Sequence, residues 1–185
     1  MGGHVGGEAA STIAITANAS YVKNDVFRPE PAHRTAALLQ VAICTADDAI
    51  RTHAYTHDNL QGMGTTVVLA RCQAAQVHVA HVGDSRAYLL HHGEFRQLTE
   101  DHSVVARLIK KGRLTPRRGR AHPLCHQITR SLGSREAVAD LLCTTWLTGD
   151  YLLLCADGLT NMVEDHHIKE LILEGAGMSR QHARH

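Results

Sequence analysis

The sequence predicts an α+β domain: two antiparallel β-sheets packed on each other with helices outside, an α-β-β-α sandwich. Three observations predict it. Helical and strand-like segments come in blocks and do not alternate strictly, which argues against a doubly wound parallel sheet. The strand-like runs are short and β-branched or alternating, as in Thr65–Ala70 and Val77–Val82. Gly83 and Gly93 punctuate them at turn spacing.

The elements follow in order. Glu8–Ala19 is rich in alanine and isoleucine without a breaker, and predicts a buried helix after a glycine cluster. Asn24–Pro31 holds two prolines and reads as a loop. Ala36–Tyr55 predicts a second helix, with Leu38, Leu39, Ala42, Ile43, Ala46 and Ile50 near a 3.6-residue period. Thr65–Ala70, Val77–Val82 and Ala87–Leu90 then read as a meander of antiparallel strands. Asp101–Lys111 returns to helix, with Val104, Val105, Leu108 and Ile109 on one face and Asp101 placed as its N-cap. Lys110–His126 is basic and rich in proline and glycine, and reads as a mobile flap. Gln127–Ser131, Ala139–Trp146 and Tyr151–Cys155 predict three further strands, and Glu164–Glu174 a last helix. The stretch 178–185 is abruptly polar and reads as a tail outside the packed domain 1–177.

Composition narrows the function classes. The 185 residues are enough for one domain with its own core, and 44% hydrophobic with 20% charged residues describes a globular chain. A net charge of +1 gives no reason to expect a nucleic-acid partner. No apolar run is long enough to cross a membrane and no secretory signal is visible, so a cytoplasmic location is expected. Five cysteines without a C-x-x-C pair fit reduced thiols acting as small hydrophobes. Fifteen histidines show no zinc-protease spacing, and the pairs His91-His92 and His166-His167 read as solvated.

Two segments could carry chemistry. Tyr151-Leu-Leu-Leu-Cys-Ala-Asp157-Gly158 delivers a carboxylate at the end of an apolar strand, a rigid mount for a hard cation. Asp-Gly is equally a common turn pair, so this segment alone leaves both readings open. His81-Val-Gly-Asp84-Ser-Arg86 repeats the pattern, its bland reading being a hairpin in which Asp84 pairs with Arg86. The glycines around His4 precede a helix but lack the Lys-Ser/Thr end of a phosphate loop. No nucleophile elbow is present, so a serine hydrolase is unsupported.

The segments MGGHVGGEAAS, GMGTTVVLA, VAHVGDSRAYLL, LTEDHSVV, ITRSLG and GDYLLLCADGLTNMV occur in this order. Together they resemble the successive motifs of the metal-dependent serine/threonine protein phosphatases (protein phosphatase type 2C) in their compact bacterial form. The resemblance implies hydrolysis of phosphoserine and phosphothreonine by a metal-activated water, with two or three Mn²⁺ or Mg²⁺ ions and no covalent phospho-enzyme. By position it implies that Asp157 is a ligand of the core metals and Asp84 of a further, weaker site. It implies that His4 serves proton transfer or phosphate contact. Phosphorylated proteins, substrates of a serine/threonine kinase in bacterial signalling, are the implied partners. The basic stretch Lys110–Arg120 falls where the family has a variable flap beside the site, suited to attracting phosphoproteins or simply solvated.

The family pattern reads Asp-Gly-Met-Gly-Gly-His, and this sequence begins at that methionine. A closing Gly-x-x-Asp-Asn motif is also lacking. The sequence therefore predicts an incomplete catalytic domain that by itself has little or no phosphatase activity and is marginally stable. The alternative expectation is an inactive pseudophosphatase that binds phosphoproteins or a partner.

Overall fold

The structure is a computed structural model and describes residues 6–23, 31–134 and 137–176. His4, most of the expected loop before Pro31, and the polar tail lie outside those residues. Two long helices come first, α1 (Gly7–Lys23) and α2 (Ala32–Thr56). Strands β1 (Val67–Gln73) and β2 (Gln76–Val82) follow, then β3 (Arg86–His91) and β4 (Glu94–Gln97). Helices α3 (Val104–Lys110) and α4 (Pro116–Arg120) lead to β5 (Asp140–Thr145) and β6 (Tyr151–Cys155). Helices α5 (Asp157–Thr160) and α6 (Asp165–Gly175) complete the described chain.

Two three-stranded antiparallel sheets form, in the orders β1-β2-β5 and β4-β3-β6. Strand alternation explains how they stack. Val67 and Leu69 of β1 and Ala80 and Val82 of β2 face the helices, where they meet Leu39, Ile43, Ala46 and Ile50 of α2 and Ala10 and Ala14 of α1. The intervening Val68, Ala70, Val77 and Val79 face the other sheet and meet Ala87, Leu142 and Leu152. On the far side α6 packs at β4, and the fully buried Tyr88 of β3 donates its hydroxyl to Asp165 at 3.2 Å. This is the expected layering of helices, two sheets and helix. Each fully buried Val or Ile in it contributes about 1.5–3 kcal/mol. The outer strands β5 and β6 leave Leu141, Tyr151 and Leu154 exposed.

Several expectations are corrected. The meander does not exist as one sheet: β2 and β3 lie in different sheets, and residues 83–85 carry the chain between them. A hairpin and a crossover share the same Gly-Asp-Ser wording, and packing of both strand faces decides between them. Strand β4 went unread because only Phe95 in Glu94–Gln97 is apolar, which suits an outer strand. Gln127–Ser131 is not a strand. Beyond local turns its backbone bonds the start of α3, Thr129 donating to His102 O at 2.7 Å and Val104 to Gln127 O at 3.0 Å, with no continuous strand partner. The basic segment read as a flap contains α4, capped by Thr115 Oγ1, which accepts from Arg118 N at 3.4 Å. The thiols are less buried than expected. All five are free, and Cys44, Cys72 and Cys143 are exposed, Cys72 and Cys143 lying on the two outer strands of the first sheet.

Candidate metal centre

Residue Asp84 sits where the chain leaves the first sheet for the second. Asp157 sits just beyond the end of β6, as the first residue of α5. Strand β3 pairs antiparallel with β6 so that Arg86 stands opposite Cys155. Residues 84 and 157 each lie two positions beyond that last pair, at the same end of the two strands, and their carboxylates are close enough to interact. The two carboxylates named from sequence thus meet across neighbouring strand ends, although 73 positions separate them in the chain (157 − 84). Both line one open cavity of about 870 Å³, together with Arg86, Asp101 and Asn161.

Burial pushes the Asp84 carboxyl above the usual carboxylate range, and the negative charge of Asp157 pushes the same way. The charge of Arg86 offsets this only in part, because its hydrogen bonds go elsewhere. Arg86 donates from Nε to Asp101 Oδ1 at 2.8 Å and from Nη2 to Oδ2 at 2.6 Å, a two-pronged pair. Its Nη1 donates to Tyr88 Oη at 2.9 Å. The bland expectation that Asp84 pairs with Arg86 in a hairpin is therefore corrected. So is the reading of Asp101 as N-cap of α3: that role belongs to Ser103, whose Oγ accepts from Ala106 N at 3.1 Å. Gln97 Nε2 adds a bond to Asp101 Oδ1 at 3.0 Å, holding the carboxylate in place.

A half-buried carboxylate (Asp84) beside an exposed one (Asp157), with the nearby arginine bonded to Asp101, fits a divalent cation. All-oxygen donors suit Mn²⁺ or Mg²⁺ and not a thiol-seeking metal. Asn161 Nδ2 donates to Asp157 Oδ2 at 3.3 Å and orients it from one turn along the chain. Sequence reading missed Asn161, whose only signal was its place four residues after Asp157.

Behind Asp84 lies a second group of ligand-type atoms, those of His81, His102 and Asp140, mutually within 4.8 Å. It is built as a buttress. Gly83 N donates to His102 Nδ1 at 3.1 Å and His102 N donates to Gly83 O at 2.9 Å, so His102 grips the residue before Asp84 from both sides. His102 Nε2 faces Asp140 Oδ2 at 3.1 Å, and Arg130 Nη1 donates to Asp140 Oδ1 at 2.6 Å. The guanidinium supplies the positive charge that a metal would bring. The His81 and His102 rings also stack, with centroids 4.6 Å apart and planes 24° apart, which keeps their lone pairs from converging.

Gly83 itself has φ +107°, and a Cβ there would collide with Thr66. Both the backbone conformation and the close approach require glycine. Gly83→Ala is expected to cost about 2–4 kcal/mol, read as a fall in the urea midpoint without a change in slope.

Comparison with known proteins bears on this arrangement. Residues 1–183 match the family model described as Protein phosphatase 2C. The serine/threonine phosphatase stp of Listeria innocua is 38% identical over 177 residues, covering 93% of this chain and 68% of the relative. Among solved structures, the Mycobacterium tuberculosis serine/threonine phosphatase PstP/Ppp superposes with a TM-score of 0.82 at 37% identity, over 92% of this chain and 70% of that one. The catalytic domain of PstP in complex with 2 manganese ions superposes with a TM-score of 0.78 at 36% identity, over 92% and 69% respectively.

Proposed function

The chain belongs to the protein phosphatase 2C family, and on that premise we propose that Asp157 and Asp84 hold its Mn²⁺ or Mg²⁺. The family membership makes it a metal-dependent protein serine/threonine phosphatase that hydrolyses phosphoserine and phosphothreonine. Nothing in the comparisons favours the alternative of an inactive binding module. The observation that supports the assignment of residues is that Asp84 and Asp157, each two positions beyond the last β3–β6 pair, line one cavity.

Asp157 provides a carboxylate fixed by Asn161, and Asp84 one fixed through the His102–Gly83 grip. Asp101 takes the hydrogen bonds of Arg86, which leaves the Asp84 carboxylate without a direct arginine partner. A divalent ion bound there supplies Lewis-acid stabilisation of charge on the phosphoryl oxygens. His4 is assigned proton transfer or phosphate contact, supported by its place after the Gly-Gly pair and by an imidazole's ordinary titration near neutrality. The substrates are read as proteins phosphorylated by a serine/threonine kinase in bacterial signalling. A cytoplasmic setting is read from five free thiols and from the absence, among the described residues, of a helix long and apolar enough to cross a membrane.

The test is hydrolysis of a phosphothreonine peptide after exhaustive chelation, with Mn²⁺ or Mg²⁺ then restored. Turnover is expected only with the metal present, and Asp157→Asn and Asp84→Asn are each expected to weaken the Mn²⁺ dependence. Hydrolysis that persists in chelator would overturn the metal-centre assignment.

A further inference from the structure

Between residues 102 and 135 the chain carries no acidic side chain, yet it holds seven lysines and arginines from Arg107 to Arg120 alone. The whole protein has a net charge of only +1, so this basicity is local. It is also placed. Lys110 and Arg120 line the cavity that contains Asp84 and Asp157. Both are ion-paired at its edge, Lys110 with Glu100 at 2.8 Å and Arg120 with Glu164 at 3.5 Å. Lys111, Arg113, Arg117 and Arg118 are exposed, and among the described residues they make no ion pair.

The segment bearing them is a docked element. Gly119 is buried on α3: a Cβ there would lie 2.8 Å from Val105 Cγ1 and 3.0 Å from Ile109 Cδ1. That close approach holds α4 against α3 and sets Arg117 and Arg118 on its outer surface. A fixed set of guanidinium groups recognises carboxylates at lower entropic cost than a floppy tail would.

We infer that this basic α3–α4 rim selects phosphoproteins whose phosphorylated residue is flanked by acidic side chains. The inference rests on the phosphatase reading above and adds the substrate class. Charge opposition explains the division of labour. The cavity floor is carboxylate and, with metal, takes one phosphoryl group; the rim is cationic and takes the separate acids on either side. A nucleic acid fits less well, because its continuous run of phosphates would cross the floor carboxylates and be repelled. Complementary rim charge acts mainly on encounter and on KM, and it weakens with salt.

The experiment compares two phosphothreonine peptides with the same core, one flanked by glutamates and one by serines, with Mn²⁺ at low and high salt. The glutamate peptide is expected to have a kcat/KM about tenfold higher at low salt, falling towards parity at high salt. Arg117→Ser/Arg118→Ser is expected to cut the preference to about twofold while turnover of p-nitrophenyl phosphate stays unchanged. Lys111→Ser/Arg113→Ser gives a second, independent pair should the first disturb α4. Fluorescence anisotropy of the labelled peptides repeats the comparison without turnover. Equal kcat/KM and equal binding for the two peptides would overturn the inference, as would a preference that survives both double variants. Single-stranded DNA competing as well as the glutamate peptide would assign the rim to nucleic acid instead. Turnover of p-nitrophenyl phosphate without peptide preference defeats this inference alone, whereas loss of all Mn²⁺-dependent turnover defeats the reading beneath it.

Discussion

Asp157→Asn is expected to lower Mn²⁺-dependent hydrolysis of p-nitrophenyl phosphate by at least about a hundredfold, equivalent to about 2.7 kcal/mol of transition-state stabilisation. The amide keeps the size of the side chain but removes the charge a hard cation needs. The same substitution acts in the opposite direction on the fold. Burial first, and then the charge of Asp157, raise the Asp84 carboxyl above its ordinary range, so the Asp157 charge disfavours an ionised Asp84 when no cation lies between them. Removing either charge relieves that repulsion. Asp157→Asn is therefore expected to raise the melting temperature in chelator and to abolish the further rise that Mn²⁺ brings to the parent protein. A variant less stable than the parent in chelator, or one that keeps full turnover, would show that Asp157 is only the first residue of a short helix.

The second large effect is on acid stability. His81 is 1% exposed, and burial, reinforced by the neighbouring His102 charge, lowers its pKa from an ordinary 6.5 to about 4. Its Nδ1 has no hydrogen-bond partner among the described residues. The unfolded chain binds a proton at this side chain from pH 6.5 downward, whereas the folded chain does so only near 4. Stability is therefore full above pH 6.5 and falls through that window, by roughly 3 kcal/mol in all. His78, lowered by burial and then by Arg71, acts in the same direction. Asp84 and Asp47, both raised above 3.8 mainly by burial, act the other way, because the folded state holds their protons more tightly as pH falls towards 4. The decline is accordingly steepest between about pH 6.5 and 5, above the carboxylate range. Urea midpoints measured across that window should fall for the parent protein and stay nearly level for His81→Gln. An equal fall in both would assign the acid sensitivity to other groups.

Those two residues show what kind of information each level holds. Asp157 was legible because an apolar strand ending in Ala-Asp-Gly is local and because its motif sits in a recognisable order with five others. His81 was passed over because an alternating Val-His-Val-Ala-His-Val run suggests one wet face. In the fold β2 is the central strand of its sheet, covered by α2 on one side and by the second sheet on the other, so both His78 and His81 are buried. Alternation reports that two faces differ, and it does not report whether the second face meets water or another sheet. The basic segment Lys110–Arg120 was read correctly for charge but not for form, since a five-residue helix has too few positions to show a period.

By itself the sequence determined the layered α+β class, nearly all the long elements and the family, and it singled out Asp84 and Asp157 as candidate ligands. These depend on local period, strand-end chemistry and motif order, all carried by residues near one another in the chain. Only the tertiary structure decided that β2 and β3 part into different sheets and that Arg86 is held by Asp101, not by Asp84. It also decided that His102 braces the Gly83 turn and that residues 84 and 157 line one cavity. Each of these is a contact between distant segments, selected by which apolar faces can be buried together. A change of register by one residue would turn those faces outward and separate the two carboxylates.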